Sequence, residues 1–221
     1  MSTRLSLSVA LLLLFVASSA VLACDESSTW EGLELKPTQG LDLVYVRPEA
    51  TLKGYTQVAL DERIEVAFDK NWDPNADVRG TSGRPSADDI QQIKNEMASE
   101  FRKVFAEELT KGGYAVVGKL GEHTLRVSAG LAEVHINAPD RMQAGRSTTY
   151  TMESGRMTLA MELRDDPTGQ LLARIVDEKT GSNTGQLQVT NSVTNSADFR
   201  RAVRSWAQRL VKALDQVNRK A

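Results

Sequence analysis

The sequence predicts an α/β (α+β) single domain: a roughly five-stranded antiparallel or mixed sheet with two helices packed on one face. Three observations lead there. Apolar and polar residues alternate over several short segments, two longer stretches carry apolar residues at three- and four-residue spacing, and no linker or internal repeat divides the chain. A chain of 221 residues, less an expected signal at residues 1–23, fits one domain better than the two small ones its length would also allow. At that size roughly 70% of the unfolded surface is buried on folding, so neither a disulfide nor a metal is needed to hold it.

The first strand runs from Val58, where Val58, Leu60, Ile64, Val66 and Phe68 all fall on even positions and only Glu62 breaks the set. Asp69 to Pro85 has the Asn, Asp, Gly and Pro content of a long surface loop. Ser86 followed by Asp88 and Asp89 is a helix start, because serine caps free amides and carboxylates suit the positive end of the dipole. Ile90, Ile93, Met97, Phe101, Val104, Phe105 and Leu109 then mark one buried face, and Lys111-Gly112-Gly113 ends the helix. Tyr114 to Val117 and Leu125 to Ile136 are further strands; in the second, the apolar positions change from odd to even near Ala132-Glu133, which predicts a bulge. Met157 to Leu163 and Leu171 to Asp177 form a hairpin about the turn Asp165-Asp166-Pro167-Thr168-Gly169. Gly181 to Asn195 is polar and reads as an exposed loop. From Ser196, Phe199, Val203, Trp206, Leu210, Leu214 and Val217 make the stripe of a closing helix.

Ahead of this domain the chain has a separate character. Arg4 leads into an apolar run centred on Val9 to Val16, then small residues, then Val21-Leu22-Ala23-Cys24 followed by Asp25 and Glu26. The run is too short for a transmembrane helix, which needs roughly twenty apolar residues. Its ending resembles the lipobox of bacterial lipoproteins, and Cys24 is the single cysteine of the chain. Residues 1–23 are therefore expected to be a signal peptide, residues 24–40 a lipidated tether containing Pro37 and Gly40, and residues 41–221 the domain. A thioether-linked diacylglycerol on Cys24 plus an amide-linked chain such as palmitate supplies the two hydrophobic signals that stable anchoring requires. The expected location is a bacterial membrane with the domain in the periplasm. Asp25 leans towards inner-membrane retention by enteric-type sorting, with inner and outer membrane both left open.

With 27 Lys and Arg against 29 Asp and Glu, nucleic acid is not an expected partner, since neutralising phosphates takes concentrated positive charge. Membrane lipid, through acylated Cys24, and an envelope protein are.

Tyr45-Val46-Arg47-Pro48, then Leu52, Tyr55 and Val58, resemble the opening of a proteobacterial lipoprotein family called domain of unknown function 3313 (DUF3313). The similarity continues through the first helix, Leu125-Arg126-Val127, the Met157 to Leu163 hairpin and the closing Phe199/Trp206 helix. The resemblance implies a small envelope α/β domain behind a lipoprotein signal, with no cofactor and no site residues to carry over.

No catalytic, cofactor or metal-binding residue is expected. His123 and His135 each have a nearby acid, Glu122 and Glu133, but no second ligand stands at metal spacing. No Gly-x-Ser-x-Gly elbow occurs. Gly145 to Thr149 lacks the frame of a phosphate loop, and Asp165 and Asp166 read as turn residues. Arg200, Arg201, Arg204, Arg209, Lys212, Arg219 and Lys220 give the last helix a basic side, while the first helix shows Glu96, Glu100, Glu107 and Glu108. Cross-helix ion pairing is the expected use of that side, with anionic headgroups as the alternative. The function expected is a non-enzymatic, membrane-anchored binding or accessory domain, its polar loops 140–149 and 181–195 contacting the partner. The alternatives are an envelope hydrolase whose site forms only in three dimensions and an oligomerising structural subunit.

Overall fold

The computed structural model describes residues 29–73, 86–118, 121–137, 151–180 and 192–218. Among these residues nine strands form one mixed sheet: β1 (Thr29–Trp30), β2 (Leu33–Leu35), β3 (Leu43–Val46), β4 (Gln57–Leu60), β5 (Glu65–Phe68), β6 (Ala115–Val116), β7 (Thr124–Asn137), β8 (Thr151–Asp165) and β9 (Leu171–Thr180). The order is β1-β2-β3-β9-β8-β7-β4-β6, with β5 beside β7. Helices α1 (Ala87–Lys111) and α2 (Ser192–Asn218) pack against each other and on one face. The fold class and the shared helix face are as the sequence predicts; the strand count is larger. β1 to β3 are two to four residues long, too short to show a period. Two of them lie in the segment expected to be tether, where Leu33 is fully buried.

The antiparallel ladder β7-β8-β9-β3 is the backbone of the sheet. β4 and β5 lie in succession along β7, both parallel to it, so the strand expected from Val58 to Phe68 is two strands. Leu60 pairs with Val127 and Glu65 with Gly130, which leaves Asp61 to Ile64 looping opposite Ser128 and Ala129. An even number of extra residues preserves the alternation of faces, so the sequence pattern runs through the break unmarked. At Glu133 one extra residue does the opposite. Ala132 pairs with Thr158 and His135 with Arg156, and Glu133 adopts φ 50°. That is the expected bulge, and it brings Val134 back onto the buried face.

α1 begins as its sequence dictates. The Ser86 hydroxyl accepts from the Asp89 amide at 3.1 Å and the Asp89 carboxylate accepts from the Ser86 amide at 2.7 Å, a reciprocal capping box. At its end Gly113 takes φ +89°, a conformation that L side chains resist. α2 starts at Ser192, four residues before the sequence suggests. Ser, Thr and Asn there favour local bonds over helix, but extending a packed helix gains one backbone bond per residue ordered.

Between helices and sheet lie Phe101, Phe105, Phe199 and Trp206, each 0–1% exposed. The Phe101 and Phe105 rings stack at 5.3 Å. A smaller cluster of Leu33, Tyr45 and Leu171 forms separately. Among the described residues no helix is long and apolar enough to cross a membrane.

Candidate functional site

Nine strands are wider than two helices can cover. α2 lies over β8, and the inward residues of β9 and β3 are covered at the edges by the stretches flanking β3, Thr38 to Leu41 and Ala50 to Leu52. The covering leaves a cleft of about 450 Å³, floored by Val44, Val46, Leu163, Leu172 and Ile175 and roofed by Trp206 and Leu210. That volume falls within the roughly 300–1,000 Å³ of small-molecule sites, which are mostly apolar with few polar groups. The polar groups here are Arg209, Lys212 and Gln216 from α2, with Thr38, Gln39 and Thr51 opposite; among the described residues no acidic side chain lines the cleft.

The ends of the cleft are fixed by specific bonds. Trp206 donates its indole N–H to the Asp177 carboxylate at 2.7 Å, and Asp177, 1% exposed, also takes the Asp42 amide at 3.1 Å and Lys179 Nζ at 2.7 Å. This buried carboxylate ties α2 to β9 and to the start of β3. At the rim Arg209 donates from Nη1 to the Gln39 carbonyl at 2.9 Å, and its guanidinium lies against Gly40, where any Cβ would collide with it. Gly40 also has φ +75°, a conformation that favours glycine there, while a Cβ would have to displace the tip of the Arg209 side chain. The Arg209 Nε is buried without a hydrogen-bond partner among the described residues.

Three other cations of α2 meet acids. Arg200 pairs with Glu100, Arg201 with Asp198 at 2.6 Å, and Arg204 with Glu108 at 3.3 Å. Glu108, 7% exposed, also accepts from Lys111 and Gln208. Cross-helix pairing therefore accounts for Arg200 and Arg204, as expected, while Arg201 pairs within α2. Arg219 and Lys220 lie outside the described residues.

The sequence-level candidates do not converge. His123 is exposed with φ 59°, and its carbonyl accepts from the amides of Thr56 and Gln57 at 3.0 and 3.2 Å. It shapes a turn. His135 stands half-buried about 40 Å along the same extended strand at roughly 3.3 Å per residue. No group of three metal-ligating side chains exists among the described residues. Asp165 accepts from the Tyr55 hydroxyl at 2.8 Å and the Thr168 amide at 3.1 Å. Thr168 and then Tyr55 hold its carboxyl below the usual range, while burial first, then Asp165, pushes the Tyr55 phenol up. Asp166 accepts from the Gly121 amide at 2.8 Å. Both aspartates are turn residues, as read. Cys24, Gly145 to Thr149, the 140–149 loop and residues 181–191 lie outside the described residues.

A second, shallower hollow of about 560 Å³ involves Asp61, Arg63, Glu162 and Arg174. There Arg174 pairs with Glu162 at 2.6 Å, and Asp61 accepts from Ser128 at 2.5 Å. The apolar cleft is the better built site.

The family model described as "Protein of unknown function (DUF3313)" matches residues 27–210. A search of curated proteins finds no match. Among solved structures, a PelC dodecamer from Paraburkholderia phytofirmans is similar over 77% of this chain and 95% of its own, at 12% identity and TM-score 0.37. A minor lipoprotein from Acinetobacter baumannii is similar over 73% and 92%, at 12% identity and TM-score 0.35. A DUF4136 family protein from Bacteroides thetaiotaomicron is similar over 84% and 100%, at 9% identity and TM-score 0.38. These scores are low, and no role passes from those proteins to this one.

Proposed function

The chain belongs to the DUF3313 family, and from that premise we propose that it is a non-enzymatic envelope lipoprotein, anchored through acylated Cys24, whose domain binds a small apolar ligand in the cleft under α2. The observation that carries this reading is the cleft itself, about 450 Å³ of apolar-lined space whose floor and roof belong to the core. Collapse of that space would gain apolar burial at roughly 25 cal/mol per Å². A fold that instead borders it with the stretches flanking β3 and bonds its ends through Asp177 and Arg209 keeps a site at some cost in packing.

The anchor and the site are tested on the same preparation. Membranes carrying the full-length protein are photolabelled with an uncharged alkyl diazirine, and the labelled peptides and the amino-terminal peptide are weighed. The expected result is label on the peptides of Leu163, Leu172 and Trp206, together with a Cys24 terminus bearing acyl mass. An unmodified Cys24 overturns the anchor. Label absent from all three cleft peptides overturns the binding site.

A further inference from the structure

From the cleft and its rim we infer that the ligand is a single-chain anionic amphiphile, its acyl chain lying on the sheet floor and its acidic head held by Arg209 and Lys212. The inference rests on the cleft being a binding site and names the class of ligand it takes. Three observations carry it. The volume of about 450 Å³ sits at the small end of small-molecule sites, room for one chain rather than two. The lining is apolar along β3, β8 and β9 but carries cations on α2, where Arg209 and Lys212 stand within one turn of each other and, among the described residues, no carboxylate lines the cleft to meet them. Finally, Arg209 is engaged differently from its neighbours. Arg200, Arg201 and Arg204 each meet an acid, whereas Arg209 meets a backbone carbonyl and has a buried Nε without a hydrogen-bond partner among the described residues. A neutral carbonyl leaves the guanidinium charge uncompensated, and a carboxylate or phosphate there makes the shorter, stronger charge-assisted bond.

The geometry also gives the order of events. Arg209 bridges from α2 to Gln39 over Gly40, across the line that separates the covering segment from the helix. An incoming acidic head competes with the Gln39 carbonyl for Nη1, so the same side chain that closes the empty cleft grips the filled one.

The test uses membranes carrying the full-length protein and a photoactivatable sixteen-carbon fatty acid. Label is expected on the peptides of Leu163, Leu172 and Trp206. Unlabelled fatty acids are expected to compete about fourfold better per added methylene until the cleft is full. Arg209→Gln is expected to weaken labelling about tenfold with the melting temperature kept, and Ala213→Trp, which places a ring in the cleft from a half-buried helix position, to abolish it. A monoacylglycerol competing as well as the fatty acid, or labelling unchanged in Arg209→Gln, overturns the anionic head. Cleft labelling by the uncharged diazirine but not by the fatty acid overturns this inference and leaves the binding site standing; labelling by neither removes both. A lysophospholipid that outcompetes the fatty acid supports the inference and identifies a phosphate as the acidic head.

Discussion

Glu108 is a carboxylate held 7% exposed between two helices, and what keeps it charged there is a set of donors from both. The Lys111 ammonium first, then Gln208 and Arg204, hold its carboxyl below the usual glutamate range against the opposing effect of burial. A carboxyl lowered by folding contributes stability that is fully present above its unfolded value and is lost as the pH falls through the folded one. Glu108→Gln keeps the size and removes the charge. Its melting temperature should therefore lie below that of the parent at neutral pH, and the gap should close as the pH falls below about 4.3. A thermal-unfolding series across that range checks this, and a gap that stays constant contradicts it. Nothing in the sequence marks Glu108 among Glu96, Glu100 and Glu107; burial depends on where α2 crosses, which no local pattern encodes. Arg209 was equally anonymous among seven cations, because its distinction is the Gly40 and Gln39 backbone beneath it, 170 residues away in the chain.

At the level of elements, β7 and its neighbours show what alternation can and cannot reveal. The bulge at Glu133 was legible since one extra residue reverses the faces; the break after Leu60 was not, since the loop from Asp61 to Ile64 keeps them. β1 to β3 escaped notice by shortness, and with them the floor of the cleft, whose inward residues are indistinguishable in sequence from core. The bulge also yields a prediction. Glu133 sits at φ 50°, a left-handed conformation costing an L residue about 1–2 kcal/mol, whereas glycine adopts it freely but loses about 0.5–1 kcal/mol of unfolded-chain entropy. The first effect is larger. Glu133→Gly should raise stability by about 0.5 kcal/mol, its hydroxyl contact from Thr158 at 3.4 Å being too long to offset this. Glu133→Val should lower it, since a branched side chain resists that region most. Urea unfolding of the two variants tests the order, and valine equal to or above glycine would mean the bulge is not strained.

For the molecule as a whole, the same helix layer seals one half of the sheet and leaves the other half open. α1 packs on β4, β5 and β6, and there the stacked Phe101 and Phe105 fill the space completely. α2 over β8 carries Trp206, one side of which faces the core while the other roofs the cleft. The two halves should respond differently to the same kind of damage. Phe101→Ala removes a ring from a sealed layer and should cost about 3–5 kcal/mol in denaturant unfolding. Trp206→Ala should cost a similar amount by a different route: its hole opens into the cleft and can admit water, but Asp177 also loses the indole donor and keeps its desolvation penalty. Binding separates them. Phe101→Ala leaves the cleft walls in place and should keep alkyl-diazirine labelling of Leu163 and Leu172, while Trp206→Ala removes the roof and should lose it. Equal loss of labelling in both variants would mean that the core and the cleft are one cooperative space, and the division of the sheet into a sealed half and a receiving half would fall.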